Sequence, residues 1–235
     1  MSSFYSKPST HPPEIRAIIF DMDGLLLDTE TLSSKSFVAT ALHYRTHLDG
    51  RDYLKLVGLN ATASIDKLEH MLPQDINAKQ FKSKWLSTYQ KMLSGGAKVK
   101  LGAMELLQKL TDVGMPIGVA TSSPSFKARP LLKNAGLTQW IKELTGGDEV
   151  QFGKPHPDVF VSCAKKLGVA PQFCLALEDS ENGVTAALAA GMFVIQIPDL
   201  TAPKRKEENP QFLIAKNLKA ASKIIFSQYS LSGKA

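Results

Sequence analysis

This chain has few cysteines, no long apolar run and no concentration of charge of one sign, and each absence removes a class of protein. Cys163 and Cys174, the only two cysteines among 235 residues, have no CxxC spacing and cannot form a disulfide framework, so a small stapled secreted fold is excluded. They read as buried or inert thiols in a reducing compartment. No apolar stretch approaches the roughly 20 residues needed to cross a bilayer, and no membrane association is expected. The opening MSSFYSKPSTHPPE is polar and proline-bearing, without the apolar stretch of a signal peptide. Residues 1–14 are expected to be a flexible arm on a cytoplasmic protein. His43, His47 and His70 lack zinc-ligand spacing with cysteine or with one another, so no zinc site is expected.

The net charge of +6 is spread along the chain. Its densest run, Lys204-Arg205-Lys206, is followed at once by Glu207-Glu208, and no aromatic or helix-turn-helix pattern accompanies it. Nucleic acid is therefore not an expected partner; the basicity suits an anionic small substrate, or simply solubility.

What is present is an alternation of short apolar runs and helical patterns. The run Ala17–Phe20 comes first. Helical patterns then follow without a strand, over 28–44, 53–59, 64–71 and 78–93, with Thr29 or Asp28 placed to cap the first of them and Glu30 in its first turn. Ser94-Gly95-Gly96-Ala97 forms a joint. Beyond it, helices over 103–113, 125–134, 157–167 and 181–190 alternate with apolar runs at 116–120, 140–144, 173–177 and 193–197, and glycines close most of the helices. Short continuous apolar strands alternating with helices predict a Rossmann-like, doubly wound parallel sheet of α/β class, with residues 31–97 as an inserted helical cap and 15–30 plus 98–235 as the core. The segment 227–235 is expected to fray.

Polar groups collect where these strands end, which in open parallel sheets is where ligands bind. Asp21 and Asp23, in DMDG, follow the first strand; Thr121, with Ser122 and Ser123, follows the second; Glu178 and Asp179 follow Leu175–Leu177; Lys154, in GKPHP, opens the helix just before that last strand. Two carboxylates so close in an apolar neighbourhood repel unless a proton or a cation intervenes, which points to a metal and to acid/base chemistry.

In this order, DMDG, the strand ending in Thr121, GKPHPD and LEDS resemble the haloacid dehalogenase (HAD) superfamily of phosphohydrolases. DGLLLDTE, GKPHPDVF and LEDSENGVTAALAAGM are most similar to its sugar and nucleoside monophosphate phosphatases and β-phosphoglucomutases, which carry a four-helix cap. The resemblance implies a Mg2+ enzyme acting on a small phosphomonoester. Asp21 would be the nucleophile that forms an aspartyl-phosphate, and Asp23 the acid and then the base. Asp21, the backbone carbonyl of Asp23, and Asp179 would hold the metal, with Glu178 in support behind them. Lys154, Thr121 and the amide of Ser122 would hold the phosphoryl oxygens. Asp28 is read as a helix cap, His156 as an exposed loop histidine, and Trp85 and Trp140 as packing residues.

The same resemblance leaves a β-phosphoglucomutase-like phosphomutase as the alternative. Mutases carry a histidine ten residues beyond the second aspartate, a basic residue before the cap-loop glycine and an arginine after it. This chain has Ser33, Val57 and Ala61 in those places, which favours the phosphatase. The cap would close as a lid over the site of a monomer, and Leu56, Gly58, Asn60 and Thr62 are the expected substrate-facing loop.

Overall fold

The computed structural model describes residues 12–59, 61–207 and 209–233; most of the expected N-terminal arm and Asn60 lie outside the described residues. Strands β1 (Glu14–Ile15) and β2 (Ala17–Phe20) open the fold, and the chain leaves β2 for a helical block. That block is α1 (Thr29–His43), α2 (Gly50–Leu54), α3 (Ala61–Met71) and α4 (Ala78–Leu93). Helix α5 (Ala103–Asp112) then leads into the alternation β3 (Ile117–Ala120), α6 (Ser125–Asn134), β4 (Glu143–Thr145), α7 (Asp158–Leu167), β5 (Cys174–Glu178), α8 (Glu181–Ala189), β6 (Phe193–Gln196), β7 (Phe212–Ile214), α9 (Leu218–Gln228) and β8 (Ser230–Leu231).

Six strands form one sheet in the order β4-β3-β2-β5-β6-β7, every neighbouring pair parallel. Every residue of β2, β3 and β5 is buried, as a sheet covered on both faces requires. One face packs Ile18, Phe20, Val119 and Leu177 against α5, α6 and α9; the other packs Ile19, Ala120 and Ala176 against α7 and α8. Strand β2 lies at the centre, between β3 and β5, so the chain ends of these three strands carry Asp21, Thr121 and Glu178 to one edge of the sheet.

The helical block has a core of its own. Phe37 of α1 makes edge contacts with Phe81 and Trp85 of α4 at centroid distances of 5.7 and 5.4 Å, and Tyr53 of α2 closes the cluster at 5.9 Å from Phe37. Leu200, from the segment after β6, packs against the same cluster and joins it to the α/β part.

Several sequence expectations differ from the structure. Helix α2 begins at Gly50, ahead of the expected 53–59, because Asp49 and Asp52 build a reciprocal capping box there. Asp28 occupies the N-cap position of α1 without a side-chain cap bond. Its neighbour Thr29 instead accepts a hydrogen bond from the Gly24 amide at 3.1 Å, which ties the helix start to the DMDG turn. The segment expected to fray is ordered through β8: Ser230 and Leu231 pair with Glu14 and Ile15, and the Ser232 hydroxyl donates to Glu14 at 2.6 Å. Glu14, placed in the expected arm, is therefore part of a strand. Leu56, expected to face substrate, is buried in the helical block's own core.

Candidate active site

The first apolar strand delivers Asp21 to the sheet edge, and its amide still belongs to the sheet, donating to Leu177 O at 2.9 Å. Gly24 then takes φ +83°, where a side chain is strained. A Cβ at that position would collide with Oδ2 of Asp179, so the glycine is what lets the β2 turn and the end of β5 approach each other.

Lys154 reaches into this edge from the loop before α7. Its ammonium donates to Asp21 Oδ1 at 2.5 Å, to Glu178 Oε1 at 2.6 Å and to Ala120 O at 3.0 Å. All three charged side chains are nearly closed to solvent, at 6% exposure or less for Lys154 and Glu178 and 8% for Asp21. The other Glu178 oxygen accepts from the amide and hydroxyl of Ser180 at 2.9 and 3.0 Å. Gly183 of α8 leaves the space that Glu178 occupies, since a Cβ there would overlap its carboxylate.

Asp23 points to a different set of partners. Its Oδ2 accepts from Thr121 Oγ1 at 3.1 Å and from Ser123 Oγ at 2.8 Å, and the Ser123 amide donates back to Thr121 Oγ1 at 3.0 Å. The carboxylates of DMDG thus have separate anchors: Asp21 on the lysine, Asp23 on the hydroxyls that follow β3.

Carboxylate oxygens of Asp21, Glu178 and Asp179 lie within 4.8 Å of one another. Burial pushes Asp21 well above the usual carboxylate range, Lys154 opposes this, and the charges of Glu178 and Asp23 add to it. Asp179 is raised in the same way by burial and by Glu178 and Asp21. Burial works against the charge on Lys154, but Asp21 and Glu178 overcome it and raise the lysine above its ordinary value. Three carboxylates facing one ammonium leave negative charge to be neutralised, and the donors are all hard oxygens, so the set fits Mg2+.

The structure brings Asp21, Asp23, Thr121, Lys154, Glu178 and Asp179 together at one sheet edge. Ser122 follows Thr121 and is exposed. Gly58 is exposed, has φ +78° and meets nothing within 4 Å at its Cβ position. Glu178 stands among the clustered carboxylates themselves and also binds Lys154. Sequence reasoning placed Ser123 at this strand end without giving it a role and missed Ser180; the roles of both depend on how the loops curl after β3 and β5. It also missed Glu30, whose carboxylate accepts from the Tyr53 hydroxyl at 2.5 Å; the motif DTE was the available signal. His156 is exposed and stacks on Phe152, and Trp85 and Trp140 pack as expected, donating to Ser33 O at 3.1 Å and Gln108 at 3.3 Å.

A cavity of about 230 Å³ lies beside the Gly24 turn, lined by Leu25, Lys100, Asp199 and Asn217 among others. Among the described residues, no helix is long and apolar enough to cross a membrane.

Residues 18–197 match the haloacid dehalogenase-like hydrolase family. Hexitol phosphatase B of Escherichia coli K12 is 30% identical over 206 residues, covering 87% of this chain and 91% of its own. Fructose-1-phosphate phosphatase YqaB of the same organism is 31% identical over 186 residues, 77% of this chain and 95% of its own. A solved HAD family hydrolase from Deinococcus radiodurans superposes with TM-score 0.75 at 22% identity, over 94% of this chain and all of that one, and shows the same fold. The lysine-braced aspartate at the end of the central strand, the carboxylates gathered round it and these likenesses agree: the chain belongs to the haloacid dehalogenase-like hydrolases and is a phosphomonoester hydrolase.

Proposed function

We propose that this chain is a magnesium-dependent phosphatase of small sugar or polyol phosphates that works through an aspartyl-phosphate on Asp21. The observation that carries the reading is the split anchoring of the two DMDG carboxylates. Asp21 is fixed by Lys154 at 2.5 Å beside the clustered acids, while Asp23 is held apart by Thr121 and Ser123.

In the first step an Asp21 oxygen attacks phosphorus as the bond to the alcohol oxygen breaks, and Asp23 gives that oxygen its proton. In the second, water attacks the same phosphorus, Asp23 takes the water's proton, and the bond to Asp21 breaks to release phosphate. Lys154 orients Asp21 and balances charge on the phosphoryl oxygens, with Thr121 and the Ser122 amide as further donors. The carboxylates of Asp21 and Asp179, with the Asp23 carbonyl, would hold Mg2+, and Glu178 would support them through Lys154 and Ser180. Bound there, the ion would neutralise phosphate charge.

Residues 31–97 are read as a lid that excludes bulk water and supplies specificity contacts, in a protein acting as a monomer. Two buried, unpaired thiols support a reducing, cytoplasmic setting. The names of the relatives, a hexitol phosphatase and a fructose-1-phosphate phosphatase, support the sugar and polyol class.

The test is phosphate release with Mg2+ across hexitol, hexose and nucleoside monophosphates, including β-glucose 1-phosphate with its bisphosphate activator. Hydrolysis of hexitol or hexose phosphates, lost on chelation and in Asp21→Asn, is the expected result. Formation of glucose 6-phosphate without free phosphate would make the protein a mutase.

A further inference from the structure

Glu30 has no role in the chemistry above, yet it sits against that chemistry. Its Cγ lies 3.4 Å from the point where a Cβ on Gly24 would stand, and Oδ2 of Asp179 is closer still to the same point. The side chain therefore packs over the DMDG turn, beside one of the clustered carboxylates. Tyr53, whose ring belongs to the core of the helical block, donates its hydroxyl to Glu30 Oε2 at 2.5 Å and fixes the carboxylate's orientation. Tyr89 of α4 stands near as well: burial raises its phenol, and the charges of Asp23 and Glu30 add to that.

An acid in the first turn of a helix needs no special reason, since it complements the helix dipole. A solvated acid would serve that purpose. Glu30 is instead partly buried at the seam between helical block and sheet edge, packed beside Asp179 with its carboxylate held on the Tyr53 hydroxyl. A carboxylate kept in so unfavourable a place, with a phenol to aim it, has the character of a ligand-binding group.

We propose that Glu30 is a specificity-determining residue: oriented by Tyr53, its carboxylate accepts hydrogen bonds from hydroxyls of the alcohol being released, and so selects neutral polyhydroxylated phosphomonoesters over those that carry a second anionic group. The inference rests on the phosphatase reading and names its substrate class. Hydroxyl donors to a carboxylate make charge-assisted bonds, whereas a carboxylate on the substrate would meet Glu30 as a like charge in a water-poor seam.

The experiment uses the full chain with Mg2+ and compares kcat/KM for a hexitol 6-phosphate, 2-phosphoglycolate and p-nitrophenyl phosphate. Native folding of each variant is checked by circular dichroism. In wild type the hexitol phosphate is preferred to phosphoglycolate. In Glu30→Gln the ratio of phosphoglycolate to hexitol phosphate is expected to rise about tenfold or more. In Tyr53→Phe, which keeps the acid and loses its orientation, the ratio rises by less. An unchanged ratio in both variants overturns the inference, as does equal loss on all three substrates, which would make Glu30 part of the common machinery. Should Glu30→Gln fail to fold, Tyr53→Phe alone decides between these outcomes. A wild type that hydrolyses p-nitrophenyl phosphate but prefers phosphoglycolate overturns the inference and leaves the phosphatase reading standing; no phosphate from any of the three overturns both.

Discussion

Ser123 donates its hydroxyl to Oδ2 of Asp23 at 2.8 Å, and Thr121, two residues earlier, donates to the same oxygen at 3.1 Å. The residue proposed to move protons is thus held by the loop that follows β3, independently of the lysine that holds Asp21. Holding it from two sides fixes where its other oxygen can reach.

Replacing Ser123 by alanine removes one of these supports and leaves the carboxylate with Thr121. Loss of a hydrogen bond to a charged group is worth ~1.5–3 kcal/mol, so kcat should fall by about tenfold or more. KM should change little, because Ser123 is not proposed to touch substrate. Steady-state kinetics on the preferred phosphomonoester check this; a rise in KM at constant kcat would place Ser123 in binding instead.

Lys154 makes the opposite prediction, one dominated by stability. Lys154→Met would leave Asp21 and Glu178 facing each other at a buried site, and breaking a buried pair by removing one partner costs ~3–5 kcal/mol. The paired lysine is held above its ordinary pKa of 10.5. Its contribution is therefore complete below pH 10.5 and is lost only as the pH rises through the folded-state value. Denaturant unfolding of wild type and variant at pH 7 and above pH 10.5 should show a gap that narrows at the higher pH.

The same contrasts explain what could be read in the sequence. Strands buried on both faces appear as unbroken apolar runs, so AIIF, IGVA and CLALE announce themselves, and so do the polar residues at their ends. Strand β7 and helix α9 went unread: β7 is three residues long at the sheet's edge, after a stretch without pattern. Strands β1 and β8 are two residues each, and only pairing across the whole length of the chain makes them strands. Ser180 carries no local signal beyond its polarity, Ser123 only its place at a strand end and Glu30 only its place in DTE, because their partners are set by loop curvature and by the packing of α1 and α2 over the DMDG turn.

The thiols offer a check on the core. Burial pushes both Cys163 and Cys174 up to about 12 from an ordinary 9.0, and the thiolate is the reactive species. At pH 8 neither should react with a disulfide reagent such as 5,5′-dithiobis(2-nitrobenzoate) in the native protein, and both should react at once in denaturant. Rapid reaction of Cys163 in the native state would place it at the surface and contradict the packing of α7 on β3, and rapid reaction of Cys174 would contradict the burial of the start of β5.

Gly24 gives the sharpest test of the carboxylate cluster, because two costs of an added methyl group can be separated. Gly24 and Gly58 both have positive φ, +83° and +78°, so alanine at either position carries a backbone cost of ~1–2 kcal/mol. At Gly58 nothing lies within 4 Å of the new Cβ, whereas at Gly24 it collides with Oδ2 of Asp179. Gly58→Ala should lower the melting temperature and leave the Mg2+ affinity as it was. Gly24→Ala should lower both, with Mg2+ binding weakened about tenfold or more if displacing Asp179 loses one charged ligand bond. Calorimetric titration of Mg2+ into the folded variants decides the matter. If Gly24→Ala binds the ion as tightly as wild type, the Asp179 oxygen that the methyl group displaces does not hold the ion.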